Sequence, residues 1–334
     1  MSGAGLDAAL STGDLDELLR LVDRLCDARD WDGLVRLRQR CRSAFEASGR
    51  QLWPIVSQVE YRLALEAPAP WAAAVLVEGA GRFAFGPLAE VAASTHTWAE
   101  LAPHVVPGPA AGLAAHERVV RGEQVDPAPG ARPFGMEVLE MPGELSPWEP
   151  AYALATYRRD EAEFPAPPQP ALAPLPVCGS NRVGPVVVDD VEVCGALRAL
   201  VERWVVESNG VVVTMAVQGS AEAAIAAVAG RSPAGWGQVG RGEEARSDEI
   251  RGAEVTLDVA LAAMAWAGAS GGAHGRRRGA AAGRFGAWWA LAALAGLLDD
   301  WPLAPQHLGD AAAELRWLLW EPARPKGGWS LHLA

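Results

Sequence analysis

The sequence has almost no lysine, isoleucine or asparagine. A single lysine, Lys326, stands against 28 arginines, and the 334 residues include only 3 Ile and 2 Asn beside 65 Ala. The scarce residues share A/T-rich codons, so the simplest explanation is a high-GC bacterial genome. The abundance of arginine therefore says nothing about function, and only the places where arginines cluster carry information.

Positive net charge and closely spaced cysteines are missing as well. With 29 basic and 41 acidic side chains the formal charge is −12, which repels nucleic acid on average, so we expect no nucleic-acid partner. The four cysteines are Cys26, Cys41, Cys178 and Cys194. No two of them have the spacing of metal ligands, and four are too few for a disulfide framework. We expect buried thiols in a cytoplasmic protein, without metal or cofactor.

Long apolar runs are missing too. The longest covers residues 285–298, whereas a membrane span needs about 20 residues, so this run predicts a buried core helix. Met1–Asp14 has no basic start followed by an apolar stretch, and predicts no secretory signal. The strand-like end, residues 328–334, has no polar tail, and from it we expect a chain truncated at Ala334.

Helical periodicity dominates the first 125 residues. Apolar side chains recur every three or four positions over residues 15–25, over Trp31–Ser48 and in a helix beginning at Trp53, and shorter helical pieces follow as far as Val120. We therefore predict a domain at residues 1–125 that is an antiparallel helical array and offers a surface to a protein partner. No fixed-period repeat is evident.

Proline and then mixed patterns mark two further regions. Twelve of the 25 prolines lie between Pro127 and Pro176, which excludes a long helix there. Residues 126–180 are predicted as a Pro-rich segment with short strands, and residues 181–334 as an α/β or α+β domain with a helical hairpin. The chain as a whole is predicted to be α-rich and mixed. The predicted strands are Phe134–Met141, Ala151–Tyr157, Val186–Val188 and Val211–Val217; the predicted C-terminal helices are Gly195–Glu207, Ala221–Ala229, Thr256–Ala269, Arg277–Leu297 and Leu308–Trp320.

One stretch, residues 268–284, gathers candidate functional side chains. Four arginines and a histidine fall there without an acidic residue, at the predicted start of a helix, where the dipole disfavours cations. Glycines between them allow the backbone to approach a ligand closely. The stretch predicts a site for a phosphate or carboxylate. Its residues are His274, Arg276, Arg277, Arg278 and Arg284.

A structural role for the same arginines is the alternative. Arg284 lies four residues before Trp288 and would stack on it. The candidate acidic partners are Glu243, Glu244, Asp248 and Glu249, or else Glu254 and Asp258. The glycines at 279, 283 and 286 would then serve close packing of helices.

Other candidate sites are weaker. The sequence has no nucleophile elbow, phosphate-binding loop or zinc-protease motif, so catalytic residues stay unknown. Trp288, Trp289, Trp317, Trp320 and Trp329 are interpreted as core or interface residues. Asp189-Asp190 and Asp299-Asp300 are interpreted as capping or solvated pairs.

Two function classes follow from these patterns. The first is a bacterial binding or interaction protein with an anion pocket at residues 268–284. The alternative is an enzyme acting on a phosphorylated or carboxylated small molecule. In that case His274 would be the acid or base, and Arg276, Arg277 and Arg278 would orient the substrate.

Overall fold

The chain folds as two compact units. A computed structural model describes residues 10, 14–48, 52–125, 140–175, 186–229, 250–322 and 330–334. Unit 1 comprises Met1–Leu145, Leu154–Pro165 and Arg277–Ala281; unit 2 comprises Ser146–Ala153, Ala166–Arg276 and Ala282–Ala334. The predicted α-rich mixed fold, with a helical array first and small sheets in the C-terminal half, is confirmed. The predicted domain boundaries at residues 125 and 180 stay a prediction.

Unit 1 is built mainly from amphipathic helices. Helix α1, Leu15–Asp27, begins directly after Asp14, whose carboxylate accepts hydrogen bonds from the backbone N–H groups of Asp16 and Glu17 at 3.0 and 3.1 Å and so caps the helix. The helices are α1 Leu15–Asp27, α2 Trp31–Ser48, α3 Trp53–Glu66, α4 Ala69–Ala73, α5 Leu88–Thr95, α6 Trp98–Leu101 and α7 Pro109–Val120. A short antiparallel pair, β1 Thr156–Tyr157 and β2 Ala162–Glu163, completes the described part of the unit.

Helix α3 lies at the centre of unit 1. Ten of its residues are buried, including Ile55, Val59 and Leu63. Its buried Glu60 has partners: the carboxylate accepts hydrogen bonds from Arg38 and Arg42 of α2 at 2.7 and 2.6 Å. A buried charge needs such compensation because its desolvation is costly.

Unit 2 combines helices with two small antiparallel sheets. The central strand of the larger sheet is β6, which pairs with β3 on one side and β7 on the other, with Gly252 opposite Trp320. Ile225, Ile250, Leu318 and Trp320 form a buried cluster at this sheet. The strands are β3 Ala173–Pro174, β4 Val186–Val188, β5 Ala216–Gln218, β6 Arg251–Val255 and β7 Trp317–Glu321; the helices are α8 Val191–Leu200, α9 Glu202–Ser208, α10 Ala221–Ala229, α11 Leu257–Ala269, α12 Ala280–Leu294 and α13 Pro305–Ala313.

Helices α11 and α12 approach each other at a glycine. A Cβ atom on Gly283 would lie 2.2 Å from the carbonyl oxygen of Ala265 and 2.8 Å from the Cβ of Ala269. Only glycine permits this backbone contact. The prediction that the glycines of this stretch serve close helix packing is thus confirmed at Gly283.

Three predicted elements of unit 2 were wrong in type or extent. The predicted helix Gly195–Glu207 is two helices, because the backbone leaves helical geometry at Val201 (φ −114°, ψ 20°). Of the predicted strand Val211–Val217 only Ala216 and Val217 pair, and Gln218 completes β5 opposite the three residues of β4. The predicted helix Leu308–Trp320 ends at Ala313, and Trp317–Glu321 is a strand that β6 pairs along its whole length.

Other predictions lie largely outside the described residues. They concern the strand at residues 134–139, Cys178, the acidic residues at 243–249, and Trp329. Of the predicted strand Ala151–Tyr157, the structure shows Thr156–Tyr157 as a strand.

Candidate functional site

The glycine-rich loop before α12 is fastened to the end of α9 by one serine. The Ser208 hydroxyl accepts hydrogen bonds from the backbone N–H groups of His274 and Gly275 at 2.9 and 2.6 Å, and donates to the carbonyl of Gly271 at 2.6 Å. The sequence had not indicated this serine. It fixes the turn that carries the candidate side chains.

Two of the five candidate side chains are exposed on this loop. His274 is exposed, and the Arg276 side chain is 65% exposed. The backbone N–H of Arg276 donates to Glu207 Oε2 at 2.8 Å, and its guanidinium lies 3.7 Å from the same carboxylate. Arg278 is half-buried. The pair of the exposed Arg276 with Glu207 contributes little to stability, about 0–1 kcal/mol.

Arg277, in unit 1, is buried and paired with a carboxylate. Its Nε and Nη2 each donate to Glu90 of α5 at 2.8 Å, and the two side chains are 5% and 0% exposed. The guanidinium also lies over the Phe164 ring, 5.0 Å from its centroid. Two parallel hydrogen bonds between oppositely charged groups form the strongest ion-pair geometry available to arginine.

The Glu90 carboxylate is fully supplied with donors. Besides Arg277, it accepts the Tyr157 hydroxyl at 2.6 Å and the backbone N–H of Ala280 at 3.3 Å. Burial by itself would raise the pKa of Glu90, but the charge and hydrogen bonds of Arg277 outweigh burial and hold that pKa below its usual value. Glu90 is therefore an anion inside unit 1, at the first turn of α12.

A second carboxyl, Glu117 of α7, lies at the same helix start with fewer donors. It accepts the backbone N–H of Ala281 at 2.8 Å and Arg121 Nη1 at 2.8 Å. Burial raises the pKa of Glu117 from 4.5 to about 7, and the negative charge of Glu90 acts in the same direction. The amide donors that the sequence assigned to an external anion are thus occupied by two carboxyls of the chain.

The two glutamates make the stability of the protein depend on pH in opposite ways. The pKa of Glu117 is raised on folding, so its stabilising contribution is complete below about pH 4.5 and is lost as the pH rises through about 7. We expect this carboxyl to lower the free energy of unfolding by about 3 kcal/mol across that window. Glu117→Gln, measured by urea denaturation at pH 5 and 7.5, should remove this decline.

Glu100→Gln is the control for the pH experiment. Glu100 is exposed, and the backbone N–H of Thr97 holds its pKa below the usual value, so its own stabilising contribution is lost only at more acid pH. Its removal should shift the stability equally at pH 5 and 7.5. A decline that persists unchanged in Glu117→Gln would contradict the assignment.

Gly279 is required where the loop passes Glu117. Its φ is +100°, and an added Cβ would lie 2.6 Å from Glu117 Oε1. Gly279→Ala should therefore lower the free energy of unfolding by about 1–3 kcal/mol, through backbone strain and displacement of the carboxylate. The matched control is Gly195→Ala on exposed helix α8, where nothing lies within 4 Å, and there a gain of about 0.5–1 kcal/mol is expected. Equal effects of the two substitutions would contradict the geometry.

Arg284, in unit 2, is paired in the same way. Its Nε and Nη2 each donate to Glu149 at 2.7 Å, and the two side chains are 1% and 0% exposed. Glu149 also accepts Trp288 Nε1 at 3.0 Å and the Tyr152 hydroxyl at 2.6 Å. Burial by itself would raise the pKa of Glu149, but Arg284 keeps that pKa below its usual value.

The structural role that the sequence offered as an alternative is thus seen for two arginines, with different partners. The predicted contact of Arg284 with Trp288 is present, with the guanidinium 5.3 Å from the ring centroid. The predicted acidic partner Glu254 instead pairs with Arg316 on the surface of unit 2. Sequence reasoning missed Glu90, Glu117 and Glu149. A signal for the first was present: Glu90 is a lone carboxylate in the otherwise apolar stretch Leu88–Ala93.

Several of the remaining candidate tryptophans and cysteines are buried. Trp288, Trp317 and Trp320 are buried, as their interpretation as core residues requires. Burial raises the pKa of the Cys26 and Cys41 thiols to about 11, which leaves both protonated and unreactive at neutral pH. Within the described residues, no group of three or more His, Cys, Asp or Glu side chains could hold a metal ion.

Comparison with known proteins identifies a family. Residues 16–329 match the family model described as "Family of unknown function (DUF6183)". The chain belongs to this family. Comparisons with curated proteins and with solved structures gave no match. Among the helices that the structure describes, none is long and apolar enough to cross a membrane.

Proposed function

We propose that this DUF6183 protein is a binding protein that holds a protein partner on its helical unit, unit 1. The observation that carries the proposal is a loop between α4 and α5 that presents two phenylalanines to solvent. Phe83 is 60% exposed and Phe85 is 45% exposed. Aromatic side chains, phenylalanine among them, are enriched in protein interfaces relative to the rest of the surface.

Hydrogen bonds to side chains of α3 hold the backbone of this loop, so the two rings are presented in a fixed position. The backbone N–H of Gly81 donates to Glu60 at 2.7 Å, and that of Phe83 donates to the Ser57 hydroxyl at 3.2 Å. Glu60 is itself fixed by the two arginines of α2. The Phe85 ring meets Tyr61 edge-on, with 5.3 Å between centroids. A preorganised surface loses little entropy when a partner binds.

The test is affinity capture with the full-length chain and matched variants. Phe83→Ala, alone and with Phe85→Ala, should abolish capture of any partner that the unaltered protein recovers reproducibly. Leu15→Ala/Leu19→Ala is the control, because both leucines are exposed apolar residues of the same unit at 39% and 37%. Loss of the partner in the leucine variant, with capture retained in the phenylalanine variants, would refute the proposal.

A second candidate function, anion binding at residues 268–284, is supported by the exposed part of the loop. Arg277 and Arg284 hold carboxylates of the chain, whereas His274 and Arg276 are exposed, so we propose that a phosphate or carboxylate ligand would contact His274 and Arg276. Pyrophosphate and simple sugar phosphates should then raise the melting temperature, and Arg276→Ala should remove the rise. Arg316→Ala is the control, since Arg316 is 70% exposed in the same unit.

The enzyme alternative makes a further demand on the same loop. Turnover of a compound that raises the melting temperature, abolished by His274→Ala with binding retained, would support it. An unchanged melting temperature with every anion would refute both anion binding and the enzyme alternative, and would leave the partner proposal intact.

A further inference from the structure

Exposed valines are concentrated in one part of unit 2. Of the fourteen large hydrophobic side chains that are exposed among the described residues, eight are valines within residues 186–213, with exposed fractions of 41–74%. Large exposed apolar patches are uncommon on proteins that act alone, and usually mark an interaction site. These residues, named here the valine surface, are Val186, Val187, Val188, Val191, Val205, Val206, Val211 and Val213.

The strands of the valine surface form an incomplete sheet. Strands β4 and β5 pair with each other antiparallel over three residue pairs, and no third strand joins them within the described residues. Successive side chains of a strand point to opposite faces, and Val186, Val187 and Val188 are all exposed, so neither face of β4 is covered. A two-stranded ribbon is marginally stable alone and gains from a further strand.

Helix α9, which lies between β4 and β5 in the sequence, also exposes valines. It is anchored on its inner side by Trp204, whose Nε1 donates to the carbonyl of Ala267 in α11 at 3.0 Å. None of its residues is buried. Val205 and Val206 are 46% and 71% exposed. The helix is therefore fixed in position by Trp204 while Val205 and Val206 are exposed.

The charges around the valine surface select the kind of partner. Residues 186–229 carry six acidic and two basic side chains, a formal charge of −4. A second copy of the chain would bring the same negative charge and be repelled, whereas a basic segment would be attracted. The acidic residues are Asp189, Asp190, Glu192, Glu202, Glu207 and Glu222.

From the open ribbon, the exposed valines and the net negative charge of residues 186–229 together, we propose that the valine surface binds an extended apolar segment of a partner protein, flanked by lysine or arginine. The segment would pair with an open edge of the β4–β5 ribbon as a third strand. Backbone hydrogen bonds of the ladder would supply affinity, and alternate side chains packed on the valines would supply specificity. This surface is in unit 2, so the proposal is independent of the phenylalanine loop of unit 1.

The test uses three synthetic peptides and the full-length chain, with binding measured by fluorescence anisotropy. The first peptide alternates valine and threonine and has two lysines at each end; the second has glutamates in place of the lysines; the third has a central proline in place of valine. We expect the lysine peptide to bind at least about tenfold more tightly than either of the others. Its affinity should fall with added salt, because the flanking contacts are electrostatic.

Matched variants locate the binding. Val187→Thr/Val206→Gln keeps strand and helix propensity while removing apolar surface, and should weaken the lysine peptide by at least about fivefold. Val106→Thr is the control, because Val106 is equally exposed, at 69%, but lies in unit 1. It should leave the affinity unchanged.

Three results would overturn the proposal. One is equal affinity for the lysine and glutamate peptides, or binding of neither at about 1 mM. Another is a dimer in analytical ultracentrifugation that Val187→Thr/Val206→Gln dissociates, which would make a second copy the occupant. The last is a melting temperature that the same double variant lowers by several degrees, which would mean that the valines are covered within the chain.

Discussion

Glu149→Ala is expected to lower the free energy of unfolding by about 3–5 kcal/mol, because it leaves a buried arginine without a counter-ion. Arg284 is 1% exposed and directs two hydrogen bonds at this carboxylate. The substitution also removes the acceptor of Trp288 Nε1 and of the Tyr152 hydroxyl, and an unsatisfied buried donor adds to the cost. No other substitution considered for unit 2 removes so many contacts at once.

The matched control is the exposed ion pair of the same unit. Glu254 and Arg316 form charge-assisted hydrogen bonds of 2.7 and 3.2 Å, but their side chains are 58% and 70% exposed. Glu254→Ala should therefore change the stability little. Urea denaturation followed by circular dichroism measures both variants. Similar losses for Glu149→Ala and Glu254→Ala would contradict the burial of the first pair.

Arg277→Met, in unit 1, is expected to lower the free energy of unfolding by a similar amount, about 3–5 kcal/mol. The substitution keeps an apolar stem against Phe164 but leaves the buried Glu90 carboxylate without its counter-ion. The pKa of Glu90 should rise when Arg277 is removed, since the charge and hydrogen bonds of this arginine oppose the effect of burial on that pKa. The loss of stability should therefore be larger at pH 8 than at pH 5.

Arg158→Met is the control for unit 1. Arg158 pairs with Glu161 on the surface, where both side chains are 64% exposed, so its replacement should change the stability little at either pH. A loss in Arg277→Met that is small and independent of pH would mean that Glu90 does not depend on this arginine.

The helices of unit 1 were predictable from sequence, whereas two helices and several strands of unit 2 were not. Helix α1 has its capping Asp14 and a regular apolar stripe, both of which are local features. Strand β7 was mistaken for the end of a helix because the short continuous apolar run Trp317–Trp320 is consistent with a buried helix as well as with a buried strand. What makes the segment a strand is its pairing with β6, more than sixty residues earlier, and a local pattern holds no information about that partner.

The candidate site shows the same division. The unusual density of arginines at the start of α12 was visible in the sequence, as was the electrostatic penalty for leaving them unpaired there. The identity of the partners was not visible. Glu90 lies 187 residues before Arg277, and Glu149 lies 135 residues before Arg284. Such pairs are set by packing of distant elements, and a single sequence does not record them.

The central claim is that Arg277 and Arg284 serve carboxylates of the chain itself. A double-mutant cycle of Arg277→Met and Glu90→Gln, measured by urea denaturation at pH 8, tests it most directly. Each single variant leaves one buried charge without its counter-ion. The double variant has no buried charge at either position, and the glutamine side chain at position 90 still accepts the hydrogen bond of the Tyr157 hydroxyl. The account predicts that the double variant is more stable than Arg277→Met, with a coupling energy of at least about 2 kcal/mol. Additive losses, with no coupling between the two sites, would contradict it.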